Sequence, residues 1–475
     1  MSKVSKGLAW SAVDHFSVQA VQFVLSIIIA RLVSPSSYGV IVMVQVFLAF
    51  AQLFIDSGFK SALIQKKDRT DIDFYTVFNF NLVMSLLLYG IMFFSAPAIA
   101  AFYGEPMLTP LTRVVSLNLV FSSLSIVQLV HLQVNLDFKT QAKARLLSVF
   151  ISGTVGVICA YRGMEVWALA IQGVVSTLVT SICLMYFSRW RPKWIFSTTS
   201  FKQLFAFGSK LLMGGFITTG YIQLTNLIIG KVYTSANLAY YNRAFQLALL
   251  PSSNISEVIS RTVYPIFCEL QNNRQSLLQK FEQFLRLSCL IIFPIMALVG
   301  VFSKPLIVVL LTQRWADTAP LLSIMCIVFV VYPILQISGQ IVLAAGYSGY
   351  WLKFSIVKRV IAFVSLLVTL PIGVNAIAWG LVFSNLCETF ISVYCLKAIF
   401  NYPYHRMVFV LSPIILLTAC STASAGFTIL LIENCYMQLI VGLATGMVVY
   451  VIGLFILKLP ERNYLLAIIR KSSNK

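Results

Sequence analysis

The sequence predicts an all-α polytopic membrane protein, with about fourteen spans in two pseudo-symmetric six-helix lobes and two helices after them. Three observations carry this. Of 475 residues, 59% are hydrophobic and only 11% are charged, against about 25% charged in an average soluble chain; mean hydropathy is +0.88. Apolar runs of about 20 residues, enough to cross a hydrocarbon core, recur along the whole chain. Two stretches 200 residues apart also echo one another.

The runs of the first half lie near 13–33, 39–64, 75–97, 111–132, 146–161 and 165–187. Those of the second lie near 208–230, 236–265, 286–303, 319–345, 354–372 and 376–398, with 408–432 and 437–457 beyond. The first run follows the basic start "MSKVSKGLAWSAVDHF" without a small-residue cleavage site, so it is expected to remain as a helix. The domains that follow are an N-lobe 1–190, an interfacial linker 191–207, a C-lobe 208–400, and a final segment 401–475 with the last two spans and a tail. "SRWRPKWIFSTTSFKQLFAFGSK" (188–210), with Trp190, Trp194 and five bases, suits a connection lying along the inner membrane surface.

The net charge of +20 would point to nucleic acid in a soluble protein. Here it reads as topology. With both termini cytoplasmic, 26 Lys and Arg fall on the inner side and seven on the outer side. The inner set includes Lys66, Lys67 and Arg69; Lys139, Lys143 and Arg145; and Lys353, Lys358 and Arg359. An excess of bases marks cytoplasmic loops, so both termini are expected inside and nucleic acid is not an expected partner. The nine cysteines lie mostly in apolar runs with no paired or metal-like spacing, which predicts neither a disulfide framework nor a metal site.

The repeat aligns "IIARLVSPSSYG" (28–39) with "IIGKVYTSANLA" (228–239), setting Arg31 opposite Lys231. At an offset of 201, Asp56 meets Glu257 and Lys60 meets Arg261. Six helices per repeat is an even number, so the halves share one orientation. A charge near the centre of a span costs about 2.5–3.5 kcal/mol on insertion scales, and residues four apart share a helix face. Two readings stay open. The acids and bases neutralise each other and fasten two helices, or Lys60 and Arg261 line a cavity and receive an anion while Asp56 and Glu257 hold them. Arg31, Lys231 and Arg243 form a second cationic set, either as interfacial anchors or as cavity lining. Asp14 and Glu388 are the carboxylates suited to coupling with H+ or Na+, Asp14 also reading as a cap of the first helix. Amides within the spans, Gln19, Gln22, Gln52, Asn79, Asn81, Asn118 and Gln128 among them, favour a wet cavity over sealed packing.

"ARLVSPSSYG" after the first helix, "DSGFKSALIQKKD" closing the second and "YYNRAFQLALLP" entering the eighth resemble the polysaccharide-exporter branch of the MOP superfamily. These are the Wzx-type lipid-linked oligosaccharide flippases, colanic-acid exporters especially. The resemblance spans nearly the whole chain; "SGFKSALIQ" is its most specific piece, and Asp56, Gly58, Lys60 and Gln65 match that motif. It implies a MOP/MATE-like fold in a bacterial inner membrane, and a substrate of undecaprenyl-pyrophosphate-linked oligosaccharide, with the polymerase and glycosyltransferases of the same pathway as partners. No cofactor is implied beyond a coupling ion. A peptidoglycan-precursor flippase or a MATE-type antiporter is the alternative within the same fold. A membrane-embedded polysaccharide polymerase or ligase fits poorly: the chain has three histidines, and none lies in its longest outer loops, near 98–110 and 304–318.

Overall fold

The computed structural model describes residues 3–56, 58–188 and 190–456, and their side chains except at 3–16, 217, 218, 261, 348 and 352. The side chains of Asp14 and Arg261, and the tail from 457 onward, lie outside what is described. Among the described residues there is no strand, and the chain divides into two compact units, Met1–Ala239 and Tyr240–Lys475.

The first unit holds α1 (Lys3–Leu32), α2 (Pro35–Asp56), α3 (Phe59–Gln65), α4 (Asp71–Tyr103), α5 (Leu108–Val115), α6 (Leu117–Val134), α7 (Phe138–Tyr161), α8 (Val166–Phe187) and α9 (Thr198–Val232). α7 packs against α8 and α1, and α6 against α4 and α8, while α9 packs along α2, α3 and α4. Polar caps start α4 and α7: Thr70 and Asp73 form a capping box, and Asp137 accepts from the Thr140 amide at 3.1 Å. Lipid is as apolar as leucine, so helix pairing in a bilayer depends on close fit and on polar bridges. Ser85 and Ser123 bridge α4 to α6 at 3.0 Å, and the Asn118 side chain of α6 accepts from Thr177 of α8.

In the second unit α10 (Ser235–Glu269) leads into α11 (Arg274–Val301), α12 (Ser303–Leu311), a 3-10 turn (Gln313–Trp315), α13 (Thr318–Val330), α14 (Tyr332–Ala344), α15 (Ser348–Thr369), α16 (Val374–Phe400), α17 (Tyr404–Leu431) and α18 (Cys435–Ile456). Its core gathers Phe267, Phe281, Leu285, Ile341, Tyr402 and Leu411. The two helices outside the repeat, α17 and α18, pack on α11 and α12. Tyr450 of α18 donates to the Leu290 carbonyl at 2.6 Å, and Arg406 grips Glu282 through two bonds of 2.6 and 3.3 Å. Pro333 opens α14 just after the break at Val331, where its missing amide hydrogen costs nothing.

Among the described residues every predicted span falls largely on helix, with breaks such as that between Asp56 and Phe59. Among the described residues, eleven helices are long and apolar enough to cross a membrane, so the expected number of fourteen is not established. The helices at Lys3–Leu32, Ser235–Glu269 and Ser348–Thr369 are not among the eleven. The second of these carries Arg243, Glu257 and Arg261, and the third Lys353, Lys358 and Arg359. The repeat reappears in the helix ends. α1 stops at Leu32 and α2 begins at Pro35; α9 stops at Val232 and α10 begins at Ser235, again 200 residues on.

Candidate functional site

Asp56 and Lys60 do not sit on one helix. α2 ends at Asp56, and α3 starts after Gly58, whose φ of 70° is left-handed. A Cβ at this position would lie 2.7 Å from the Cα of Gly208 in α9, so glycine answers both the bend and the close approach. The expected stacking of the two charges on one continuous helix face is corrected accordingly. Both residues are half-buried. The Asp56 carboxylate takes a hydrogen bond from Gln52, and Lys60 acts on it through space. Gln52 in turn accepts from Ser122 of α6 at 3.1 Å, which ties the acid to a neighbouring helix.

Just beyond lies an ionic anchor that the sequence reading missed. Asp73 is 1% exposed. Its carboxylate receives the Lys66 ammonium at 2.8 Å, the Thr70 amide at 2.8 Å and the Ser200 hydroxyl. The linker continues the attachment. Asn79 donates to the carbonyls of Lys193 and Ile195 at 3.1 and 3.0 Å, and the Ser197 amide donates to Thr76 at 3.1 Å. Trp190 is buried and stacked on Tyr75, with centroids 5.5 Å apart, while Trp194 is 80% exposed. Of the two linker tryptophans, only Trp194 has the exposure of an interfacial anchor.

The other predicted bases sit on α1, α9 and α10. Arg31 and Lys231 close α1 and α9 and are exposed; Lys231 donates to the Phe102 carbonyl and covers that residue's ring at 4.9 Å. Arg243 is half-buried, its guanidinium 5.7 Å from the centre of the Trp315 ring. Glu257 is exposed on α10, four residues before Arg261. Glu388 gains a partner that the loop assignment of Lys358 hid. Lys358 lies within α15 with its side chain 4% exposed, 3.3 Å from Glu388 and 2.8 Å from the Ser392 hydroxyl, both on α16. Its ammonium also stands 4.5 Å from the centre of the Trp351 ring. Lys358 is therefore a buried, paired cation rather than a loop base.

One cavity within the first unit is polar. It has a volume of about 370 Å³ and lies between α1, α6, α7 and α8. Gln19 and Gln22 enter from α1, Arg145 and Ser148 from α7, and Ser176 and Thr180 from α8. Thr180 donates to the Ser148 hydroxyl at 2.8 Å, and Ser148 to the Ser176 carbonyl at 2.6 Å. The sequence reading named the two glutamines but counted Arg145 as a loop base. Arg145 stands seven residues inside α7, or about 10 Å along its axis.

Comparison with known proteins gives this architecture a family. A model described as "Polysaccharide biosynthesis protein" matches residues 28–320, well over half of the chain. The chain belongs to this polysaccharide biosynthesis family. The succinoglycan biosynthesis transport protein ExoT of Rhizobium meliloti is 23% identical over 493 residues, covering 97% of this chain and 94% of its own. The teichuronic acid biosynthesis protein TuaB of Bacillus subtilis is 23% identical, covering 74% of this chain and 73% of its own. The lipopolysaccharide biosynthesis protein WzxC of Escherichia coli shares the same 23% over 75% of this chain and 73% of its own. Among solved structures, the lipid II flippase MurJ in an inward closed conformation superposes with a TM-score of 0.79 at 15% identity, covering 96% of this chain and 99% of its own. An inward-facing multidrug MATE transporter gives 0.61 at 15% identity, covering 80% and 94%. The fold is shared with MurJ and the MATE transporter, and the eleven long apolar helices among the described residues make this a multi-pass membrane protein of polysaccharide biosynthesis.

Proposed function

We propose that this protein flips undecaprenyl-pyrophosphate-linked oligosaccharide units from the cytoplasmic to the periplasmic leaflet of a bacterial inner membrane, with both of its termini in the cytoplasm. The observation that carries this reading is the end-to-end match to ExoT, named as a transport protein of succinoglycan biosynthesis. No bond has to break. A pyrophosphate with about two negative charges has to be met by cations, arginine above all because its planar donors match phosphate oxygens. The proposed binding groups are Lys60, Arg261, Arg243, Arg31 and Lys231, with Asp56 and Glu257 holding their neighbours. Arg243 and Arg261 are 18 residues apart on α10, about 27 Å of helix, a spacing that would suit one base near each face of a core about 30 Å thick. Coupling to H+ or Na+ is assigned to Asp14 and Glu388. The sugars are expected to come from glycosyltransferases of the same pathway and to pass to its polymerase.

The test is reconstitution of the whole chain into vesicles holding a labelled polyprenyl-pyrophosphate glycan, with a membrane-impermeant glycosidase reading its arrival on the far leaflet. Lys60→Ala and Arg261→Ala are expected to slow arrival at least tenfold, with Arg261→Lys keeping part of the rate. Vesicles in which the native chain moves no more glycan than protein-free controls would end this reading.

A further inference from the structure

The polar cavity of the first unit contains more hydrogen-bonding capacity than the fold uses. Its volume of about 370 Å³ falls among small-molecule sites, which run from about 300 to 1,000 Å³. The hydroxyls of Ser148 and Thr180 are spent holding α7 to α8. Gln19 and Gln22 are not spent: among the described residues neither amide makes a hydrogen bond. Carried one turn apart on α1, two amides that bond no part of the fold have no evident part in its packing. Gln22 is exposed, so the cavity is open at that residue. Across from the glutamines, Arg145 lines the wall, and Val18, Leu129 and Val149 supply aliphatic surface.

Each of these groups matches one feature of a particular ligand class. A carboxamide offers a donor pair and an acceptor, as neighbouring sugar hydroxyls require. A guanidinium takes a carboxylate through two parallel bonds. Aliphatic walls suit the C–H faces of a pyranose ring. A bare phosphate would leave most of the volume and both glutamines unused. We propose that this cavity binds one acidic sugar, a pyranose bearing a carboxylate, with Arg145 on the carboxylate and Gln19 and Gln22 on ring hydroxyls. The proposal rests on the transport reading above and deepens it: the glycan carried would contain a uronic-acid-like residue, recognised inside the first unit about 10 Å along α7 from its start at Phe138.

The experiment is saturation-transfer NMR on the full chain in nanodiscs, with D-glucuronate and D-glucose as probes at millimolar concentration. Glucuronate should take up saturation at least fivefold more strongly than glucose. Arg145→Ala should bring glucuronate down to the level of glucose, Arg145→Lys should keep part of the preference, and Gln19→Leu with Gln22→Leu should weaken both sugars. Equal signals from the two sugars, or a glucuronate signal unchanged in both the arginine and the glutamine variants, would overturn the proposal. So would inorganic phosphate displacing glucuronate as readily as unlabelled glucuronate does, since that marks a plain oxyanion site. Binding is read without flipping. A native chain that binds glucuronate but moves no glycan fails the transport reading alone, and one that moves glycan but binds no glucuronate fails this one alone.

Discussion

The buried pair between α15 and α16 allows a double-mutant cycle with a predicted size. Lys358 has a side chain 4% exposed and three partners: Glu388 at 3.3 Å, Ser392 at 2.8 Å and the Trp351 ring at 4.5 Å. Glu388→Gln removes the only carboxylate among them and leaves an ammonium in a low-dielectric setting. Orphaning one member of a buried pair costs about 3–5 kcal/mol. The low end applies here, about 3 kcal/mol, because Ser392 still accepts and a cation over an aromatic face keeps about 0.5–2 kcal/mol. Lys358→Met should cost less, about 1–2 kcal/mol, because the Glu388 side chain is 36% exposed and its charge is partly solvated. With both replaced no charge is stranded, and the double variant should lie within about 1 kcal/mol of the native protein. The interaction energy is then about 3–5 kcal/mol. Unfolding in mixed micelles of increasing dodecyl sulfate content, followed by tryptophan fluorescence, gives the four corners of the cycle. Single-variant losses that add up to the double-variant loss within about 0.5 kcal/mol would show the two groups to be independent, and the pairing argument would fall.

Three further outcomes are expected. Gly58→Ala adds a crash into the Gly208 backbone to left-handed strain of about 1–2 kcal/mol, whereas Gly104→Ala, with φ 76° and open space around it, carries the strain alone; equal losses of thermal stability would contradict the close approach at Gly58. Exchanging the charges, Asp56→Lys with Lys60→Asp, should leave expression normal yet lower glycan export at least tenfold, because an anion then stands where pyrophosphate is expected to dock; full export would return the pair to a fastening role. Trp190→Ala should cost about 3–5 kcal/mol and open the linker to trypsin after Lys193, a cut that the native chain, with Trp190 stacked on Tyr75, should resist for much longer.

The legible parts of the fold were those that depend on one stretch of chain at a time. The apolar runs fell on helices, and the echo between 28–39 and 228–239 reappeared as matching helix ends at Leu32 and Val232. Where a second stretch intervenes, the local pattern misleads. "FIDSGFKSALIQ" reads as one helix; at Gly58 the backbone instead turns left-handed, with the Gly208 backbone, 150 residues later, passing close against it. Arg145 and Lys358 were counted with loop bases because a base near a helix end is the ordinary topology signal. Only the neighbouring helices show that one lines a cavity and the other is buried against Glu388. Gln19 and Gln22 were visible as amides in a span, but the hydroxyls that complete their wall sit on α7 and α8, and no periodicity within α1 points to them.

The attachment of residues 190–200 to α4 bears on the order in which the chain can be finished during synthesis. Asp73, Thr76 and Asn79 occupy two turns of α4, and their partners Lys193, Ile195, Ser197 and Ser200 are made more than a hundred residues later. Until that segment emerges from the ribosome, the Asn79 amide at this end of α4 awaits its carbonyls, Asp73 has only what Lys66 and Thr70 give it, and the Thr76 hydroxyl bonds only the Ile72 carbonyl of its own helix. A chain halted after α8 would contain eight helices and still lack the piece that ties down α4. A gene split into two co-expressed fragments should tolerate a cut after Tyr233, between α9 and α10, far better than one at Ser188.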